Sequence, residues 1–308
     1  MAFNVSGLTA YVKENTELLT KEAIFGSRKG DTIAKAGKEL GVKTKARMHQ
    51  LAVSAPLQNG NGCGFNASGD DVLSEREIEV AIVKVNKSWC PDDLIGKVYE
   101  YEVNLAAGKE ELPFEAKLMD EVNLDINKQL ETLVWQGNKS ASAGTYLDLI
   151  DGLLTIAAGA DSASTITGET ASGTAIYNAI KEAIFAIPED MLDEAVVFVS
   201  PSNYRKFVDA LVEKNLYHFA PDAKQEDIDI TFPGTDIPVH KTIGMAGVND
   251  KIYITTWKNI RFGSDMLNDK EEYKLWFSDD DDIFKLKVKF AAGVNTVYPD
   301  MVVLWTIN

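Results

Sequence analysis

The chain reads as an α+β protein carrying a smaller α/β module, and three stretches predict this. From Glu110 to Asn138, Leu118, Val122, Ile126, Leu130, Leu133 and Val134 recur at helical spacing, with Asp120, Asn123, Asp125 and Lys128 on other faces. Between residues 174 and 213 a helical stripe, a continuous apolar strand and a second helix follow one another. Near the C-terminus Phe284, Leu286, Val288 and Phe290 alternate with Lys285, Lys287 and Lys289, the pattern of an antiparallel strand buried on one face.

Composition narrows the class. At 308 residues the chain can bury one large core or two smaller ones. With 45% hydrophobic and 25% charged residues it is globular rather than disordered. No apolar run reaches the roughly 18 residues of a membrane span. The first thirty residues lack the apolar core of a signal peptide, so a cytoplasmic product is expected. Thirty-one basic against 47 acidic residues give a net charge of −16, which excludes general attraction to nucleic-acid phosphates. Such a protein can still enclose DNA without adhering to it. Cys63 and Cys90 are far apart in sequence and are expected to be free thiols.

In chain order, residues 1–25 read as an arm with a short amphipathic helix around Leu8–Leu19. The segment Gly26–Arg47 is locally basic, with seven Lys and Arg against Asp31 and Glu39, and suggests docking on an acidic surface. Thr44–Val53 and Arg76–Trp89 read as strands around a loop dense in Gly, Asn, Ser and Asp. If they pair symmetrically about Gly62, Lys45 faces Glu79, Arg47 faces Glu77 and His49 faces Glu75, opposite charges opposing one another. These six are the candidate inter-subunit contact residues. A two-stranded ribbon is marginal alone in water, so it needs something to lie on, and a neighbouring subunit is one candidate.

Asp92–Leu105 reads as a helix or connector, and Pro113 suits the first turn of the long helix. Gly137-Asn138 offers a left-handed residue past its end. A loop, the stretch LDLIDGLLTIAAGA and a soft linker at 161–173 lead to the helix Thr174–Ile187, stopped by Pro188. Residues 195–200, AVVFVS, form a fully buried strand, followed by the helix Asn203–Glu213. Strands at Ile228–Phe232 and Ile237–Lys241 flank the turn Pro233–Asp236. The C-terminal strands are 251–257, 259–266, 271–278, 282–295 and 301–308, grouped with the long helix as a second module.

Chemistry is sparse. His49, His218 and His240 are isolated from one another, which leaves little for a triad or a histidine metal site. Gly60–Gly64 is glycine-rich but lies between strands, so it reads as a hairpin tip and not a phosphate cradle. Asp279–Asp282 lacks calcium-loop spacing and reads as a solvated turn. No catalytic, cofactor or metal residue is assigned, and no enzyme is expected.

At Leu133–Asn138 (LVWQGN), followed by Tyr146–Leu154 (YLDLIDGLL), the chain resembles the major capsid proteins of tailed bacteriophages, which have the Hong Kong 97-type fold. The segments AVVFVSPSNYRKFVDAL and ITTWKNIRFGSDM resemble that family's axial strand–helix and its late return strand. The resemblance implies a Hong Kong 97-like capsid fold with an N-terminal arm (1–41) and an extended two-stranded loop (42–90). A long spine helix with a peripheral sheet (91–149 and 246–308) and an axial α/β domain (150–245) complete it. It implies a homo-oligomer of hexamers and pentamers, an icosahedral shell enclosing double-stranded DNA, and portal, scaffolding and decoration proteins as partners. It also implies location in the virion, with assembly in the host cytoplasm. The arm starts near Met1, so scaffolding is expected from a separate protein. The alternatives are an encapsulin-like nanocompartment shell, a tail protein, and an enzyme with an α/β substrate domain.

Overall fold

The computed structural model describes residues 5–26, 31–58, 68–91, 114–140, 144–159, 164–168, 173–216, 230–265 and 272–307. Helices α1 (Val5–Glu14), α2 (Thr16–Phe25) and α3 (Thr32–Lys35) lead to strand β1 (Gly37–Leu40). Strands β2 (Lys45–Ala52), β3 (Val72–Glu79) and β4 (Ala81–Trp89) precede the spine helix α4 (Phe114–Gln136). Then come α5 (Leu153–Gly159), β5 (Ser164–Gly168), α6 (Gly173–Phe185), β6 (Val196–Val199), α7 (Pro201–Glu213), β7 (Ile230–Thr231) and β8 (Pro238–Lys241). The chain finishes with β9 (Lys251–Thr255), β10 (Ile260–Ser264), β11 (Glu272–Ser278), β12 (Ile283–Thr296) and β13 (Val303–Ile307).

The spine helix has 23 residues and so a length of roughly 34 Å. Val122, Ile126, Leu130, Leu133 and Val134 are buried as their spacing predicts. They pack with a five-stranded sheet of order β1-β10-β12-β11, in which β4 also pairs with β12. Strand β12 organises this sheet: Phe284, Leu286, Val288 and Phe290 enter the core while the intervening lysines stay outside. Helices α1 and α2 lie on α4 and β11, burying Val12, Leu19, Ala23 and Ile24.

A six-stranded sheet of order β5-β13-β9-β6-β8-β7 forms the second layer. Its central strand β6 is buried on both faces. Val196 and Phe198 join the core beneath the spine helix, while Val197 and Val199 join a second core under α6 and α7. The stripe Ile176, Ala179, Ile180, Ala183 and Ile184 fills that second core with Phe207 and Leu211. Ser200 caps α7, accepting a hydrogen bond from the Asn203 amide at 3.2 Å. Gly234 takes a φ of 82° in the expected turn.

Several expectations are corrected. The N-terminal segment forms two helices rather than one and packs on its own chain. The strand expected at 76–89 is two strands: only β3 belongs to the ribbon, and β4 turns away at Val80 to pair with β12. The linker at 161–173 contains β5, which runs parallel to β13. The C-terminal strands divide between the two sheets, because β9 and β13 pair with β6 and β5. Asn123 is buried, placed by the helical period on the stripe of Met119 and Trp135, where Tyr273 Oη donates to its Oδ1 at 3.2 Å. Neither Gly137 nor Asn138 has a positive φ. The expected connector at 92–105, Pro113, Cys63 and His218 lie outside the described residues. Cys90 is an exposed free thiol. Among the described residues no helix is long and apolar enough to cross a membrane.

Candidate assembly surfaces

The ribbon formed by β2 and β3 pairs in the register read from the sequence: Lys45 opposite Glu79, Arg47 opposite Glu77 and His49 opposite Glu75. The charge contacts run diagonally. Lys45 Nζ reaches Glu77 Oε2 at 3.3 Å, Arg47 Nη1 reaches Glu75 Oε2 at 3.0 Å, and His49 Nδ1 lies 3.4 Å from Glu75 Oε1. A right-handed twist brings a long side chain toward the residue diagonally across as readily as toward its direct partner. Glu79 is left to Lys139 at the far end of the spine helix, at 2.9 Å, and that hydrogen bond holds its carboxyl below the usual range. The structure therefore brings all six predicted residues together on one face and satisfies them within the chain.

The root of the ribbon is anchored. Met48 and Ile78 pack with Val297, and Val42 and Val80 pack with Ala291. Asn295 Nδ2 donates to the Glu77 carbonyl at 2.7 Å. The outer end is not. Leu51 and Leu73, directly paired across the strands, are 57% and 67% exposed, and Val53, Leu57 and Val72 are exposed as well. Among the described residues the outer half of the ribbon thus carries exposed apolar groups on both faces, where a two-stranded ribbon is only marginal in water.

Beside the ribbon, Lys139 belongs to a crossing at the end of the spine helix, where the sequence LVWQGN meets YLDLIDGLL. Gly137 and Gly152 allow the two segments to touch. A β-carbon at Gly152 would sit 2.7 Å from both the Gly137 nitrogen and the Trp135 carbonyl oxygen. The Gly152 amide donates to the Gly137 carbonyl at 2.8 Å, Thr155 Oγ1 donates to it at 2.6 Å, and the Lys139 amide donates to Asp151 Oδ1 at 2.9 Å. Gly137 is thus required for close approach and not for a left-handed cap. Gln136 Nε2 donates to the carbonyls of Gly244 and Ala246 at 2.6 and 3.0 Å, tying the same turn to the six-stranded layer.

One turn back along the helix lies a buried polar node. Glu131, 1% exposed, accepts hydrogen bonds from the Thr32 amide at 2.8 Å and the Ile33 amide at 3.3 Å. Trp135 Nε1 and Thr242 Oγ1 also donate to it, each at 3.2 Å, and Trp135 Nε1 donates to Thr32 Oγ1 at 2.7 Å. Burial pushes the Glu131 carboxyl pKa above its ordinary value, while the Thr32 and Ile33 donors pull against that rise. The node joins the N-terminal segment, the spine helix and the six-stranded layer. It was missed in the sequence, although its signal is visible there: Asn123, Asn127 and Glu131 recur every four residues in line with Met119 and Trp135.

His240 is buried edge-on to Phe198 and Trp257, at ring separations of 5.8 and 5.2 Å. Asp279–Asp282 form an exposed turn, with Asp281 ion-paired to Lys285.

No protein-family model matches this chain, and no curated protein matches it in sequence. Solved structures do match. A chain of the satellite phage P4 procapsid including size determination (Sid) protein aligns with 96% of this chain and 100% of its own length, at 11% identity and a TM-score of 0.61. A chain from the capsid of a native GTA particle aligns over 90% of both chains, at 11% identity and a TM-score of 0.55. One of Microbacterium phage Oxtober96 aligns over 92% of both, at 12% identity and a TM-score of 0.53. The chain has the fold of phage capsid proteins.

Proposed function

We propose that this chain is a phage major capsid protein of the Hong Kong 97 type, which assembles through hexamers and pentamers into an icosahedral shell around double-stranded DNA. The observation that carries the reading is the ribbon. Its root is fastened to the sheet and its outer half offers Leu51, Leu73 and Val53 to solvent, in a chain whose fold matches a procapsid chain over nearly all of its length. A neighbouring copy is the occupant that covers such a ribbon at every position of a closed shell. Function then lies in geometry and association instead of turnover, and the protein resides in the virion after assembly in the host cytoplasm. The net charge of −16 keeps the wall from gripping its contents. Portal, scaffolding and decoration proteins are the partners such a shell uses.

Electron microscopy of the protein, expressed alone and with a neighbouring scaffold gene, tests the reading. Closed shells, tubes or rings of five and six subunits are expected. A monodisperse monomer or dimer under both conditions overturns it. Shells loaded with an enzyme in place of DNA when purified from the native source would assign the chain to a nanocompartment.

A further inference from the structure

The five-stranded sheet has one face on the spine helix; on the other, the ribbon root covers the Ala291–Asn295 end, and no described element packs over the β4–β12–β11 part. Cross-strand register places Trp276, Lys285 and Ser88 in one row of this outer face, Lys274, Lys287 and Asn86 in the next, and Glu272, Lys289 and Lys84 in the third. The hairpin turn Asp279–Asp282 closes the end nearest Trp276. Two of the lysines are neutralised locally, Lys285 by Asp281 and Lys287 by Glu272. Among the described residues Lys84, Lys274 and Lys289 make no ion pair, and neither do Asp279, Asp280 and Asp282. At about 3.4 Å per residue, the row of Lys289 lies roughly 20 Å from the turn. The face is therefore polarised: Lys84, Lys274 and Lys289 outnumber the single carboxylate of Glu272, on which Lys274 and Lys289 also act, at one end, Asp279, Asp280 and Asp282 lie at the other, and the 37% exposed Trp276 lies between them.

A face with this layout is its own complement under a two-fold rotation. Turned end over end, the lysine end of one copy meets the aspartate turn of another, and the reciprocal contact forms at the same time, as an isologous interface requires. We propose that the outer face of the β4–β12–β11 sheet is a two-fold contact between copies of this chain. Trp276 packs near the axis, with reciprocal pairing between the Lys84, Lys274 and Lys289 end and the Asp279–Asp282 turn. The inference rests on the shell reading and specifies one of its contacts. Three strands about 4.8 Å apart over roughly 20 Å cover only about 300 Å² per copy. That is well below the roughly 800 Å² per partner of an interface that holds alone. The contact therefore works within a multivalent shell, and assembly is the place to read it.

The test is a charge swap between the two ends. One variant carries Lys84→Glu, Lys274→Glu and Lys289→Glu; the other carries Asp279→Lys and Asp280→Lys. Asp282 is left alone because its φ of 53° suits aspartate better than lysine. Exposed pairs are worth roughly two- to threefold each, so the four pairs reversed by the aspartate variant change association by about 30-fold, and the six reversed by the lysine variant by more. The critical concentration for assembly, measured by sedimentation, is expected to rise at least roughly tenfold for either variant alone. An equimolar mixture of the two restores opposite charges at both ends and should return to near the wild-type value, as should a single chain bearing both sets. Variants that assemble at the wild-type concentration, or a mixture that fails to recover while the wild type assembles, overturn the contact and leave the shell reading standing. A wild type that never assembles overturns both. If assembly is unchanged but the first variant loses binding to a 30-base-pair duplex that the wild type retains, the face belongs to nucleic acid and the inference is wrong.

Discussion

Replacing Glu131 by alanine tests the idea that one buried carboxylate locks the N-terminal segment and the six-stranded layer to the spine helix. The substitution removes the acceptor for the amides of Thr32 and Ile33, both buried at the start of α3, and for the buried Thr242 hydroxyl. Trp135 Nε1 keeps its bond to Thr32 Oγ1, so the indole is not orphaned. Two buried amides without partners cost about 1–3 kcal/mol each, which makes a loss of roughly 2–6 kcal/mol. Glu131→Gln retains one acceptor oxygen and should lose less. Urea denaturation of the unassembled protein, followed by tryptophan fluorescence, measures both. The pH dependence separates a charge effect from a packing effect. Because the folded-state pKa of Glu131 is raised, its contribution is fully present below the ordinary carboxylate pKa of about 4.3 and is lost as pH rises through the folded value. The wild type should therefore lose stability relative to Glu131→Gln as pH is taken from about 4 toward neutrality. A Glu131→Ala loss below about 1 kcal/mol, or a wild-type curve parallel to that of Glu131→Gln, would refute the role assigned to the node.

Three further perturbations address the other surfaces. Leu51→Asp with Leu73→Asp changes exposed groups, so the unassembled chain should keep its stability to within about 0.5 kcal/mol; particles seen at wild-type yield would show that the ribbon end is not an interface. Lys45→Glu with Arg47→Glu crowds like charges onto Glu75, Glu77 and Glu79, and soluble subunits that no longer form shells are expected by size-exclusion chromatography. Gly152→Ala forces a methyl against the Gly137 nitrogen and the Trp135 carbonyl, where backbone cannot yield as a side chain can, and a destabilisation of about 1–3 kcal/mol or more should appear as a lower unfolding midpoint.

Much of this architecture is legible in the sequence because the relevant forces are local. The stripe on the spine helix, the alternation in β12 and the apolar run of β6 each report which faces are buried; β12 and β6 are buried so, and the stripe is too except that Leu118 is half-buried and Asn123 is inside. The register of the ribbon is legible for a related reason: two strands of period two, joined by one loop, leave few ways to oppose Lys45, Arg47 and His49 to glutamates. Sheet membership is not legible. Nothing in KIYIT or VLWTI says that these strands pair with β6 and β5 and not with β10 and β12, since that choice is made by the connections and by which core has room. The break at Val80 escaped notice because β3 and β4 share one continuous β-prone run. The polar node escaped because a glutamate on an apolar stripe looks like an interruption until its partners, about a hundred residues away on one side and on the other, are brought to it.

These details bear on how the fold this chain shares with solved capsid chains is kept at only 11–12% identity. The turn at Trp135-Gln136-Gly137 performs three separate tasks at one place. The indole bonds the N-terminal segment, the amide bonds the loop after β8, and the glycine admits the chain returning at Gly152. Each of these tasks fixes how two layers of the chain meet; in the shell proposed above, an error at this crossing would be repeated in every copy.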